Sequence, residues 1–490
     1  MTTVKRRFTL INQDRTPHQA MVEDLLFIRA ALDRAGIEFL LVRGNDQRPV
    51  IAVDLADRAR LVAALVVACR DEPFYSRTVD TKSRTTLLVS DGELSKSRKA
   101  RIFRLFRPRI EPLGGLAYGP SAGVQIELWA LGSAIELPVE NSLTRRTLPA
   151  AEVVRGEVER HGLTWPTIDN MFADHATDID FDIDLVFSWV DGSSPEFQAA
   201  RAARMQGVVV GEGDDHEARF RQIDELKYAL RSVYMFAPWV RRIFIATDSD
   251  RPAWLADHPS VTLVRSEEHF KDPSVLPTHN SQAVEAQLQH IPGLSEYFLY
   301  SNDDMFFGRP VAPDMFFSPG GVTKFIEADT RIGLGENDAE RSGFENAARV
   351  NRRLLHERFG RITTRHLEHT AAPLRRSVLL EMEDEFAAEF KATAASRFRA
   401  KDNISVTNSL YHYYALLTGR AVTQEMARVK YVDTTMRSGL KSLNKMLDKR
   451  NQDFFCLNDG SFPEVGAEER AHLVTDFLEK YFPVKAPWEI

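Results

Sequence analysis

The stretch Ile183-Asp184-Leu185-Val186-Phe187-Ser188-Trp189-Val190, closed by Asp191-Gly192, decides how this chain is read. It is a mostly apolar run interrupted only by Asp184 and Ser188. Such a run predicts a strand buried on both faces, as in a parallel sheet covered by helices. Asp191-Gly192 ends it in a tight acidic turn. Ser194-Pro195-Glu196 then supplies an N-cap, a proline at the first helical position and an acid in the first turn.

Working outward, the same order recurs. Ile223, Leu226, Leu230 and Val233 share one helical face, and Pro238 follows. Residues 242–247 read as a strand ending at Asp248-Ser249-Asp250, and residues 261–264 as another. Residues 280–290 read as a helix closed by Pro292-Gly293. Residues 297–301 read as a strand ending at Asn302-Asp303-Asp304. This alternation predicts an α/β fold with a doubly wound sheet. Ligands of such sheets bind outside the carboxyl ends of the strands. Asp191, Asp248 and Asp303-Asp304 all fall at those ends. Beyond residue 345 the chain reads as mostly helical, clearest over 349–359, 376–390 and 408–417.

The first part of the chain differs. Helical periodicity over 22–35 ends at Gly36, and 55–69 reads as a second helix with Asp54 as its N-cap. Residues 37–42, 50–53, 85–89 and 124–129 read as strands. This is a small α+β unit. Its element order resembles nucleotidyltransferase-like domains, without their paired carboxylates. The polar stretch 152–180 marks the expected boundary, giving an accessory domain over 1–170 and a catalytic domain over 171–490.

A chain of 490 residues with 43% hydrophobic and 27% charged residues is ordinary globular material, too long for one typical core. The net charge of −7 excludes a general nucleic-acid binder. One basic segment stands out, with Lys96, Arg98, Lys99, Arg101, Arg104, Arg107 and Arg109 interleaved with Ile102, Phe103, Leu105 and Phe106. It reads as a solvated helix face; contact with a membrane surface or a polyanion is the other reading. No apolar run is long enough to span a bilayer, and the first eight residues lack an apolar stretch and cleavage site. Cytoplasmic residence is expected, with peripheral contact at the inner membrane face as an addition. Cys69 and Cys456 cannot build a disulfide framework, and Cys456 reads as a buried small hydrophobe rather than a catalytic thiol.

Adjacent carboxylates at a strand end suit a hard divalent cation. Mg²⁺ or Mn²⁺ takes oxygen ligands, often only one or two carboxylates, with water and substrate phosphate completing the shell. Asp303 and Asp304, followed by the apolar Met305-Phe306-Phe307-Gly308, are the candidate pair. Phosphate also needs cations. Arg375-Arg376, close behind His366 and His369, and then Arg399 and Lys401 are available. A histidine could take a proton from an attacking hydroxyl, although the residues alone read His369 first as a surface or helix-capping side chain.

Four motifs in order carry a resemblance. Asp184-Leu185-Val186-Phe187-Ser188-Trp189-Val190-Asp191-Gly192 opens the series. A second spans residues 219–255 and includes Asp224-Glu225-Leu226-Lys227-Tyr228-Ala229-Leu230-Arg231-Ser232. A third runs from His279-Asn280-Ser281-Gln282-Ala283-Val284-Glu285 to Asn302-Asp303-Asp304. The fourth surrounds Lys401-Asp402-Asn403. Together, over roughly residues 180–420, they resemble the Stealth family of sugar-1-phosphate transferases, in its actinobacterial, exopolysaccharide-type branch. The resemblance implies a nucleotide-sugar-transferase-like fold and transfer of a hexose-1-phosphate, such as N-acetylglucosamine-1-phosphate, from a UDP-sugar to an acceptor hydroxyl. A phosphodiester forms and UMP leaves. Bacterial members build phosphate-linked capsular or surface polysaccharide; animal relatives make the mannose-6-phosphate tag.

The resemblance implies catalytic roles for His369, Arg375, Asp191 and Asp402. It implies substrate contacts for Trp189, Asn280, Glu285, Arg231 and Lys401, and Mg²⁺ or Mn²⁺ on Asp303 and Asp304. The implied partners are a UDP-sugar and an oligosaccharide or polysaccharide acceptor, with self-association as an option. The chain has Gln222-Ile223 where the family often has Asp-Asn, which puts any role of that pair in doubt. Two other readings stay open, an ordinary glycosyltransferase releasing UDP and a binding protein of the same fold.

Overall fold

The computed structural model describes residues 8–81, 85–205, 223–460 and 463–490. The readings at Met1–Arg7 and at residues 219–222, including Gln222, lie outside the described residues. The backbone divides into two compact units, Met1–His175 and Ala176–Ile490.

The first unit is a mixed sheet with two helices. Helix Pro17–Arg34 starts at Thr16, whose hydroxyl accepts from the Gln19 amide while the Gln19 side chain accepts from the Thr16 amide. The second helix, Arg58–Ala68, follows a 3₁₀ turn that Asp54 caps. The basic segment corrects its helical reading. Ile102–Phe106 is a strand, paired with Tyr75–Thr78 and Val124–Leu131. Its alternating side chains enter the core, as Phe103 and Leu105 do. The flanking arginines are spent on internal bonds: Arg107 and Arg109 both reach the buried Asp24, at 2.7 and 3.1 Å. Arg101 donates to the backbone carbonyls of Leu128 and Glu136. The solvated helix face therefore does not exist.

The second unit is built on five strands, named here β1 (Ile183–Ser188), β2 (Ile243–Ala246), β3 (Val261–Val264), β4 (Tyr297–Asn302) and β5 (Ala372–Arg375). Their spatial order is β3-β2-β1-β4-β5. The first four are mutually parallel, and β5 is an antiparallel edge. The chain winds outward from β1 through β2 and β3, then returns to place β4 on the other side of β1. The direction of winding thus reverses between β1 and β4, which makes that crevice the switch point of the sheet.

Both faces of the sheet are covered. Val186, Phe244, Val264, Phe298 and Tyr300 pack in one core with Leu288, Leu294, Leu354, Val378 and Met382. The alternate residues Leu185, Phe187, Ile243 and Ile245 are also buried. Asp184, the charged break in the opening run, is fully buried at the amino end of β1 and takes two bonds from Arg241, at 2.8 and 2.5 Å. Helix Glu225–Phe236 links β1 to β2. The helix expected over 280–290 is shorter, an α segment Ser281–Glu285 and then a 3₁₀ turn Leu288–His290. The helix expected over 408–417 begins as a π-turn, Val406–Leu410, before Tyr411–Leu417. No helix among the described residues is long and apolar enough to cross a membrane.

Candidate active site

β1 and β4 end side by side, with Ser188 opposite Asn302. Beyond them opens a cleft of about 1090 Å³. Trp189 continues β1 into its wall, its amide donating to the Ala246 carbonyl at 3.2 Å. Asp303-Asp304 form the two-residue turn between β4 and the strand Met305–Phe307. That strand pairs with Phe454–Asn458, in the register Met305 to Cys456. The Leu457 amide donates to the Asp304 carbonyl at 2.9 Å, and the Cys456 thiol reaches Asp304 Oδ2 at 3.4 Å. Burial, then the charges of Asp304, Asp303 and Asp459, push the Cys456 thiol well above its ordinary value. It is a neutral donor to Asp304 and not a nucleophile.

A second wall comes from beyond the sheet. Glu285 closes the short helix Ser281–Glu285 and is buried. Its Oε2 accepts from the Thr407 hydroxyl at 2.7 Å, and Tyr300 reaches its Oε1 at 3.4 Å. Tyr300 in turn bonds Ser188 at 2.6 Å, so β1, β4 and the π-turn meet on one carboxylate. Burial raises the Glu285 pKa, while the Thr407 bond and the Arg399 charge oppose that rise.

Asn280 caps the same helix through the Gln282 amide. Its own amide donates to Asn403 Oδ1, at 2.9 Å, and to the Ser396 and Phe398 carbonyls. These bonds pin residues 396–403 and set Arg399 in the cleft wall, donating to Ser281 Oγ at 2.9 Å. Asn280 thus acts through the loop it holds. His369 also lines the cleft, its ring centroid 5.2 Å from that of Tyr431. Burial, and secondarily the His366 charge, lower its pKa, so its imidazole is neutral at neutral pH and can accept a proton.

The cleft therefore brings together Trp189, Asn280, Glu285, Asp303, Asp304 and His369. Five other expected residues sit elsewhere. Arg375 pairs across from Tyr297, at the amino end of β4. At about 3.3 Å per residue, that is roughly 20 Å from Asp303. There it binds Glu296 at 3.1 Å and covers the Tyr297 ring. Arg231 is fully buried in a two-pronged pair with Glu489, at 2.7 Å for each bond, and also reaches Glu479 and the Phe482 carbonyl. It ties the C-terminal segment to helix Glu225–Phe236. Lys401 and Asp402 occupy an exposed turn. Asp191 folds back on itself, accepting from the Ser193 amide and hydroxyl at 3.0 and 2.6 Å. Of the two arginines that line the cleft, Arg201 and Arg399, the second stood in the sequence only as one of several cations.

The charge balance of the cleft is lopsided. Among the described residues, nine Asp and Glu side chains line it against two arginines, Arg201 and Arg399. No group of three or more metal-ligating side chains forms among the described residues. A turn with two adjacent carboxylates, facing a large open volume, fits a hard cation that leaves most positions to water and phosphate, and does not fit a closed protein cage.

Models of four Stealth conserved regions match this chain. Conserved region 1 covers residues 181–209, region 2 covers 219–325, region 3 covers 368–416 and region 4 covers 444–490. An exopolysaccharide phosphotransferase, CpsY, of Mycobacterium tuberculosis is 61% identical over 488 residues, 99% of this chain and 92% of the relative. This chain belongs to the Stealth family. An exopolysaccharide phosphotransferase of Nocardia farcinica is 57% identical over 96% of this chain and 88% of its own. A more distant one from Streptomyces coelicolor is 36% identical over 97% of this chain and 91% of its own. Among solved structures, the galactosyltransferase LgtC in complex with donor and acceptor sugar analogues aligns with 62% of this chain and 97% of its own, at 12% identity and a TM-score of 0.31. The Stealth regions redraw the motif boundaries. The second and third motifs both fall in region 2. Region 4 lies beyond the four motifs, which end near residue 420.

Proposed function

We propose that this Stealth protein transfers a sugar-1-phosphate from a UDP-sugar to an acceptor hydroxyl in exopolysaccharide synthesis, forming a phosphodiester and releasing UMP. The phosphotransferase character is supported by the names its relatives carry over nearly their whole length. The observation that carries the chemistry is a neutral histidine, His369, in the same cleft as Asp303-Asp304 and Arg399.

In this reading the nucleotide end of the donor lies at the switch point, against Trp189 and the acidic turn Asp248-Ser249-Asp250. Mg²⁺ or Mn²⁺ held by Asp303 and Asp304 would supply charge neutralisation for the diphosphate. Arg399, in the same cleft, would use its fork to take two oxygens of the transferred phosphoryl group. Glu285, linked to Tyr300 and Thr407, would add its charge near Arg399, which Ser281 holds. His369 Nε2 or Nδ1 takes the proton of the acceptor hydroxyl as its oxygen forms a bond to the β-phosphorus. The bond from that phosphorus to the bridging oxygen breaks, and the pair of electrons leaves on UMP.

Attack at the sugar carbon would instead release UDP. Incubating the protein with a panel of UDP-sugars and a divalent cation, then resolving the nucleotide product, separates the two. UMP is expected; UDP as the main product overturns the reading.

A further inference from the structure

The reaction needs an acceptor sugar held against His369, and one wall of the cleft has the shape for it. Strand Val429–Asp433 lies parallel to Phe454–Asn458, with Tyr431 beside Cys456. Cys456 is in turn paired with Met305. Tyr431 is therefore two strands away from the residue that follows Asp304, roughly 10 Å at the usual strand spacing. Its phenol is pushed up by burial and then by Cys456, Asp433 and Asp304, so it stays protonated. Its ring adjoins His369 at 5.2 Å.

A second aromatic flanks the histidine. Phe344 lies 6.4 Å from His369 and is backed by the His366 ring, stacked at 4.5 Å. Both aromatics are unusually open for their size, 42% for Tyr431 and 37% for Phe344, and both line the cleft. Open aromatic rings on both sides of a candidate base offer apolar faces to a ligand that is itself apolar on one side and polar at its rim. A pyranose ring has that character, with one C–H face and a rim of hydroxyls. Glu368 and Asp459 in the same cleft can accept from those hydroxyls.

Position in the chain points the same way. His369, Glu285, Asp303 and Asp304 fall inside Stealth conserved regions. Tyr431 and Phe344 fall between them, in 417–443 and 326–367. A group that selects a substrate is expected in such a segment more than one that performs the shared reaction.

We propose that Tyr431 and Phe344 form the acceptor subsite, a stacking platform for the hexose ring whose hydroxyl His369 deprotonates. This rests on the phosphotransfer reading above, and the subsite needs no new chemistry. The test uses the whole chain and, as probe, a pool of hexose oligosaccharides two to six units long. Saturation-transfer NMR reads binding of the pool, and UDP titration reads the donor side. Tyr431→Ala is expected to raise the acceptor KM about tenfold, with UDP affinity unchanged. Phe344→Ala should do the same to a smaller degree. Tyr431→Trp, which keeps a stacking face, should restore the KM. An acceptor KM that ignores Tyr431→Ala, or UDP affinity that falls with it, overturns the proposal; the second result would make the ring a nucleotide platform. If the wild type releases no UMP from any UDP-sugar, the phosphotransfer reading fails. Binding of the pool to wild type but not to Tyr431→Ala would then still support the subsite, and no binding to wild type would overturn it.

Discussion

The two ends of the central sheet contain the same residue types and use them in opposite ways. At the amino end, three carboxylates have guanidinium partners: Asp184 and Asp182 share Arg241, and Glu296 takes Arg375. At the carboxyl end, nine carboxylates and two arginines among the described residues line the cleft, and Arg470 lies 3.8 Å from one of the nine, Asp459. Charge satisfied within the chain stabilises the fold. Charge left in excess around an open volume calls for something from outside, and here the fitting supplement is a cation with a phosphate. Arginine is therefore informative about phosphate only once its carboxylate partners are known. Arg375 lies at the amino end of β4, paired with Glu296, whereas Arg399 lines the cleft at the carboxyl end.

The contrast can be broken most severely at the acidic turn. Asp303→Ala should lower turnover by about a thousandfold while leaving the melting temperature nearly unchanged, since the side chain faces the cleft. Full turnover, or full activity with a chelator present, would remove the acid pair from the reaction. His369→Ala should cost about a hundredfold or more. In the wild type, the rate should fall as pH drops through a value below 6.5, because burial lowers the His369 pKa and only the neutral ring accepts a proton. An acid limb centred above 6.5 would assign it to another group.

Arg231→Ala tests charge that is satisfied within the chain. Removing a guanidinium that is 1% exposed leaves Glu489, 2% exposed, buried without its partner. The expected cost is about 3–5 kcal/mol of stability, read by chemical denaturation. Arg375→Ala should do least. Its pair with Glu296 is partly solvated, so about 0–1 kcal/mol is expected, with turnover retained. Loss of turnover without loss of stability in that variant would return Arg375 to the chemistry.

This comparison also explains what was legible in the sequence. The parallel sheet was readable because apolar runs and acidic strand ends are local patterns, and Ile183–Ser188 and Tyr297–Asn302 carry both. Asp303-Asp304 followed from them. Arg399 was not separable from Arg375 or Lys401, because its place depends on Asn280 holding residues 396–403 from more than a hundred positions away. Arg231 sits in a motif among other cations, while its partners Glu479 and Glu489 lie in the last conserved region, beyond the four motifs. The basic segment around Phe103 has strand alternation hidden among arginines whose partners, such as Asp24, are remote in sequence.

The claim that the carboxyl end is completed by a cation with a phosphate is tested most directly by Mn²⁺ binding, followed by electron paramagnetic resonance with and without UDP. The account predicts that UDP tightens Mn²⁺ binding to the wild type and that Asp303→Asn with Asp304→Asn abolishes the effect. Mn²⁺ binding that is indifferent to UDP, or that survives in the double variant, would contradict it.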